Sequence, residues 1–298
     1  MKAFFAGLPP VTRGILLFLT TMFFFSAMDA VAKYLTGKYE PFMVVWARYA
    51  SQTFWTVLIL SPRLRSLFRT KHLKLQLLRS ALLFTATICF FTSLKYLQLA
   101  ESVAIFEVAP LIITGMSVFI LGEVVGLRRW LGVLAGLVGA LIIIRPGTEV
   151  FSPAALLPIC AATCFSGYSI ATRFLSSDEP AATSFLYTTL IGTVAASILV
   201  PGFWTMPALA DLPILATFGI LGGIGHYILI VALTIAPASV LAPYSYFALI
   251  LSALWGYFVF DEFPDFWTWI GALVIVGAGL YVWHRERVRD VHSAAPKP

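Results

Sequence analysis

Charge is what this sequence has least of. Asp, Glu, Lys and Arg make up 11% of its 298 residues, against 60% hydrophobic residues and a mean hydropathy of +0.91. A soluble domain of this length has no core for so much apolar side chain, so the chain is an integral membrane protein. Long polar stretches are missing too. The longest is the basic segment from Arg63 to Arg79, which leaves no room for an appended enzyme domain. Cysteine is scarce: Cys89, Cys160 and Cys164 all lie in apolar runs, too few to form a ligand set, and read as packing residues. No metal-ligand spacing, nucleotide-binding glycine loop or nucleophile triad occurs, and without a Walker motif the chain cannot use ATP by itself. No catalytic residue, metal or cofactor is therefore expected.

What is present is a succession of apolar runs, each about long enough to cross roughly 30 Å of hydrocarbon as a helix. They fall near 14–35, 42–60, 77–97, 103–121, 130–144, 154–174, 184–200, 212–235, 238–260 and 266–283. The first resembles a signal peptide only until Asp29 and Lys33, which sit where the helix continues. Ten crossings place 15 of the 20 cations on the side of the termini, among them Arg63, Arg65, Arg69, Lys71, Lys74 and Arg79. Four more (Lys33, Lys38, Lys95, Arg145) fall at the other side and Arg48 inside the membrane. The positive-inside rule predicts both termini in the cytoplasm, so the net charge of +6 is no sign of a nucleic-acid partner.

The chain also echoes itself. Phe119–Leu141 aligns with Phe258–Leu280 at an offset of 139, with six identities: Phe119/Phe258, Glu123/Glu262, Trp130/Trp269, Gly132/Gly271, Leu134/Leu273 and Leu141/Leu280. Such spacing indicates a duplication. Five spans per copy is odd, so the copies are inverted in the bilayer, the architecture of alternating-access carriers. The expected fold is all-α: ten transmembrane helices as two inverted five-helix repeats, 1–147 and 148–284, with a short basic tail, 285–298.

The pattern Met28-Asp29-Ala30-Val31-Ala32-Lys33-Tyr34-Leu35, Pro41, Trp46-Ala47-Arg48, Ala109-Pro110-Leu111, Leu121-Gly122-Glu123 and Arg145-Pro146-Gly147 resembles the EamA family of the drug/metabolite transporter superfamily. Ala242-Pro243-Tyr244-Ser245-Tyr246, Gly256 and Asp261-Glu262 with Pro264 resemble its second signature. The resemblance covers nearly the whole chain. It implies export of amino acids or other small metabolites, with the aromatic amino-acid exporters as relatives in shape and size. The chain departs from the pattern at Glu107, where family members carry a small or hydroxyl residue.

Ionisable groups at membrane depth cost several kcal/mol unless they face a wet cavity or a partner, so they are the first candidates for transport. Asp29 and Lys33 are spaced i, i+4, which suits an ion pair that either fixes the first span or couples transport. Arg48 needs an anion or carbonyls: Asp29, or a substrate carboxylate. Glu107, beside the helix-disturbing Pro110, is placed to bind a substrate ammonium or carry a proton, or else lies solvated at the mouth of its span. His226 follows the run Gly219, Gly222, Gly223, Gly225 and reads as a packing or cavity-lining residue. Tyr244 and Tyr246 suit a pocket for amphipathic solutes, or an interfacial belt. The substrate-binding candidates are thus Asp29, Arg48, Glu107, His226, Tyr244 and Tyr246, with Asp29, Lys33 and Glu107 for ion pairing or coupling.

The sequence reading is a bacterial inner-membrane secondary transporter exporting small metabolites, most readily amino acids. Its partners are that small molecule and the lipid bilayer, with no obligate protein partner. The alternative is uptake or exchange of a nucleoside-like or cofactor metabolite. A channel lacks its ring of like residues, and an intramembrane enzyme its paired acids with a nucleophile.

Overall fold

The structure, a computed structural model, describes residues 8–121, 127–145, 152–175, 178–236 and 241–294. Helices follow one another throughout: α1 (Pro10–Thr36), α2 (Pro41–Leu60), α3 (Leu73–Leu94), α4a (Leu99–Phe106), α4b (Ala109–Leu121) and α5 (Leu127–Ile144). Then come α6 (Leu156–Leu175), α7 (Ala181–Leu199), α8 (Leu212–Ile235), α9 (Phe247–Phe260) and α10 (Phe266–Ala294). Proline sets several starts, since its fixed φ suits the first turn and its missing N–H is no loss there. Pro10 and Pro41 open α1 and α2, and Pro213 stands in the first turn of α8.

Two spans are not continuous. The apolar run Val103–Leu121, expected as one helix, divides at Glu107, because Pro110 has no N–H for the carbonyl of Phe106. The other discontinuity precedes α9, where Ala242–Tyr246 forms a tighter 3-10 turn. The 14 residues of α9 are too short to cross alone; with the 3-10 turn they reach about 31 Å.

The helix pairings show the repeat. α1 packs on α8 as α3 packs on α6; α2 packs on α8 as α3 on α7; α1 meets α9 as α4b meets α6. Exchanging α1–α5 with α6–α10 maps each of these pairs onto the other, while α2–α7 and α5–α10 map onto themselves. The molecule is a ten-helix membrane protein of two inverted five-helix repeats. At the α5–α10 crossing a Cβ added to Gly139 would lie 2.9 Å from the carbonyl oxygen of Gly271, and one added to Gly271 2.6 Å from that of Gly139. Only glycine allows backbones so close. Of the echoed pairs, Glu123 lies outside the described residues, as do Pro146 and Gly147 of the family signature.

The two ends differ in charge. At one end the four cations expected there all find acids: Lys33–Glu262 at 3.0 Å, Lys38–Asp211 at 3.1 Å, Lys95–Glu40 at 3.0 Å and Arg145–Asp265 at 2.8 Å. We call this the ion-paired end. At the other, the basic end, Arg65, Arg69, Lys71 and Lys74 are exposed. Arg79 does not belong with them. It lies in α3 with no exposed surface, donating to Thr172, Thr188, Tyr168 and the carbonyl of Ser184 at 2.6–3.0 Å. Neutral oxygens from α6 and α7 thus surround a charge that the sequence placed in a loop.

Candidate functional site

A cavity of about 170 Å³ opens between α1, α2, α3, α4, α6, α8 and α9. Asp29, Arg48, Glu107 and His226 all line it, so the structure brings together four of the six substrate-binding candidates. Each comes from a different repeat segment: α1, α2, the α4 break and α8. Around them stand six phenylalanines, of which Phe90, Phe106 and Phe165 form a continuous wall with ring centroids 5.3 and 5.4 Å apart.

Arg48 is 1% exposed and is held by neutral groups. Its Nη1 donates to Thr87 Oγ1 at 3.0 Å, its Nε approaches Met28 Sδ at 3.3 Å, and its guanidinium lies 4.6 Å from the centre of the Tyr49 ring. Its Nη2 reaches the imidazole of His226 at 3.4–3.5 Å. The His226 tautomer follows from its neighbours. Nδ1 lies 2.9 Å from the carbonyl oxygen of Gly222, which only accepts, so Nδ1 carries the proton and Nε2 offers its lone pair to the guanidinium. Gly222 permits this geometry, for a Cβ there would stand 2.9 Å from Met28 Sδ and 3.1 Å from Arg48 Nε.

The carboxylates are placed differently. Glu107 caps α4a, is 4% exposed, and accepts a hydrogen bond from Ser245 Oγ at 2.6 Å. That contact joins the α4 break to the 3-10 turn before α9, so the two discontinuities of the two repeats meet at the cavity. Asp29 makes no hydrogen bond or ion pair among the described residues. It shares the cavity with Arg48, and a carboxylate there costs desolvation that a bound cation would offset.

Two expectations change. Asp29 and Lys33 do not pair: Lys33 points to the ion-paired end, where Nζ donates to the carbonyl of Leu97 at 2.7 Å and meets Glu262. Helical spacing allowed the pair, but the Glu262 carboxylate and free carbonyls at the start of α4a offered Lys33 more acceptors. Tyr244 and Tyr246 do not line the cavity; the residue between them, Ser245, does. Tyr246 packs among Ile143, Ile275 and Ala140, and Tyr244 against the cluster of Phe18, Tyr168 and Leu229. In a 3-10 turn successive side chains point about 120° apart, so one of the three faces inward. Sequence reasoning missed Thr87 and the phenylalanine wall, which have no signature apart from ordinary apolar composition. Among the described residues no group of three or more His, Cys, Asp or Glu is placed to hold a metal.

A model of the EamA-like transporter family matches residues 12–145 and again residues 152–283. The chain belongs to this family. It is an EamA-like membrane transporter, and each match covers one of the two halves related above. Among curated relatives, an S-adenosylmethionine uptake transporter of Rickettsia bellii is 28% identical over 278 residues, 92% of this chain and 94% of the relative. A riboflavin transporter of Vibrio cholerae is 28% identical over 294 residues, 95% and 97% of the two chains. A pseudopaline exporter, CntI, of Pseudomonas aeruginosa is 26% identical over 267 residues, 89% and 94%. A solved crystal structure of a protein shares this fold, with a TM-score of 0.69 at 22% identity over 94% of this chain and 99% of that one. None of these three relatives is named as an amino-acid exporter, which moves the reading away from the family's aromatic amino-acid exporters.

Proposed function

We propose that this EamA-like transporter is a carrier for a nucleoside-like cofactor metabolite, with S-adenosylmethionine as the leading substrate and uptake as the direction. The observation that carries this reading is a carboxylate without hydrogen bond or ion pair among the described residues, Asp29, set beside a fixed guanidinium, Arg48, inside a phenylalanine-walled cavity. The walls suit a flat aromatic base. The charges suit a guest with both signs: its carboxylate to Arg48, its cationic centres to Asp29 and Glu107. Amino-acid export would use the charged groups and leave the aromatic wall without a task for most side chains. Riboflavin, neutral and flat, matches the wall and leaves Asp29 unanswered; the relatives that carry that name keep it as the second reading.

Transport needs two conformations of similar energy, and inverted repeats that meet at broken helices supply them. We place the basic end, with both termini, in the cytoplasm of a bacterial inner membrane, supported by the exposed cations there and the neutralised ones opposite.

Solute counterflow in proteoliposomes tests the substrate. Vesicles loaded with unlabelled S-adenosylmethionine are expected to show a saturable overshoot of the labelled compound, and a weaker one or none with threonine or phenylalanine. An overshoot with riboflavin alone selects the second reading. An overshoot with amino acids alone contradicts both.

A further inference from the structure

The cavity wall reaches both ways from mid-depth: Phe18, Met22, Ser169 and Leu233 stand in the halves of their helices nearest the basic end, and Phe90, Phe91 and Val103 in the halves nearest the ion-paired end. Toward the ion-paired end the path is filled by Leu35, Leu94 and Leu99, exposed by 2% or less. A carrier that reaches solute from one side must keep the other side shut and then release it, so something at the ion-paired end has to hold and let go.

The four ion pairs there are not equivalent. Arg145–Asp265 ties α5 to the start of α10, two helices already joined at their glycine crossing. Lys38–Asp211, with Tyr39 donating to Asp211 at 2.8 Å, ties the α1–α2 turn to α8, which also pack along their lengths. Lys95–Glu40 is largely exposed, at 33% and 46%, where water screens the attraction. Lys33–Glu262 is less exposed, at 10% and 26%, and joins α1 to the α9–α10 turn. Its two side chains are shared further. Lys33 Nζ donates to the carbonyl of Leu97 at 2.7 Å and lies 3.5 Å from that of Leu94. The second oxygen of Glu262 accepts from the Leu99 N–H at 3.2 Å, at the first turn of α4a, where a helix favours a negative charge. The backbone aims the carboxylate: Asp261 takes φ 55° as the C-cap of α9, and the next N–H closes on Gly256 at 2.9 Å.

We propose that Lys33 and Glu262 are the gating pair of the ion-paired end: a latch that closes it while the cavity faces the basic end, and whose separation opens it. The α4a helix connects latch to substrate. It is eight residues long, with the Leu99 N–H on Glu262 at one end and Glu107 in the cavity at the other. A guest that draws Glu107 away from Ser245 moves α4a as a rigid body and pulls on the latch. This inference rests on transport by the family and not on which solute is carried.

The test reads access to the cavity from each face. A single cysteine, Ala248→Cys, is placed in the cavity wall of a C89S/C160S/C164S protein and labelled in vesicles with a membrane-impermeant thiol reagent. A cysteine at exposed Met206, in a parallel preparation, marks the ion-paired face. In Lys33→Met and in Glu262→Gln, labelling from the ion-paired face is expected to rise about five-fold or more, with labelling from the basic face falling. The double variant is expected to give the same rise as either single one, because both changes remove one interaction. Labelling unchanged in the single variants overturns the latch. So does a double-variant rise equal to the product of the two, and so does a rise from both faces together, which reports a loosened fold.

Discussion

At the scale of single residues, the charges divide into those with protein partners and those without. Arg79 is enclosed by hydroxyl and carbonyl oxygens, Lys33 by Glu262 and carbonyls, while Asp29 faces the cavity with no hydrogen bond or ion pair among the described residues. Sequence could place these residues in or near membrane but could not name their partners, which lie from 61 (Lys33 to Leu94) to 229 (Lys33 to Glu262) positions away and have no periodic relation to them. Helical spacing alone points Asp29 to Lys33, and the run of basic residues alone groups Arg79 with its exposed neighbours. Glu179, between α6 and α7, gives a residue-scale prediction. Burial disfavours its charged form, but hydrogen bonds from Thr70, Gln76 and the backbone N–H groups of Lys71 and His72 outweigh that and hold its carboxyl below the ordinary range. A carboxyl with a lowered folded value adds stability that is full above its unfolded value of about 4.3 and is lost as pH falls through the folded one. Glu179→Gln is therefore expected to lower the thermal midpoint at pH 7, and the two proteins to converge well below pH 4. A gap that persists in acid would show that the side chain's shape, not its charge, ties the loops.

At the scale of helices, the ten spans were legible because a bilayer demands runs of one length and one character. Eight runs found by hydropathy match their helices to within about four residues, while α9 starts only at Phe247, after its 3-10 turn, and α10 continues past its apolar run to Ala294. The break inside α4 was not. Its run is apolar on both sides of Glu107, and only Pro110 marks the place. Close crossings were legible in part: Gly271 belongs to the echoed segment, but its partner across α10 and α5 is Gly139, not the echoed Gly132. Gly271→Ala puts a methyl group against a backbone carbonyl that cannot move aside. A loss of about 1–3 kcal/mol is expected, read as a lower thermal midpoint in detergent. Gly277, with open space around it, is the control, and its Ala variant is expected to change little. Equal losses at both would mean that helix propensity, not the crossing, sets the cost.

At the scale of the whole molecule, two inverted halves meet where each is broken, and the polar groups of the cavity gather at that meeting. Inversion was legible from the odd span count and the echo around Glu262. The cavity's charge pattern was not, because it requires α1, α2, α4 and α8 to be brought together. In the proposed function, Asp29 and Arg48 recognise opposite charges of one solute. The most direct measurement is the concentration dependence of S-adenosylmethionine counterflow in the parent, Asp29→Asn and Arg48→Lys proteins. Saturable exchange is expected in the parent, with a rise in KM of about ten-fold or more in each variant, the cost of one charge-assisted contact. Exchange that is saturable in the parent but unchanged in both variants would contradict recognition by these two charges.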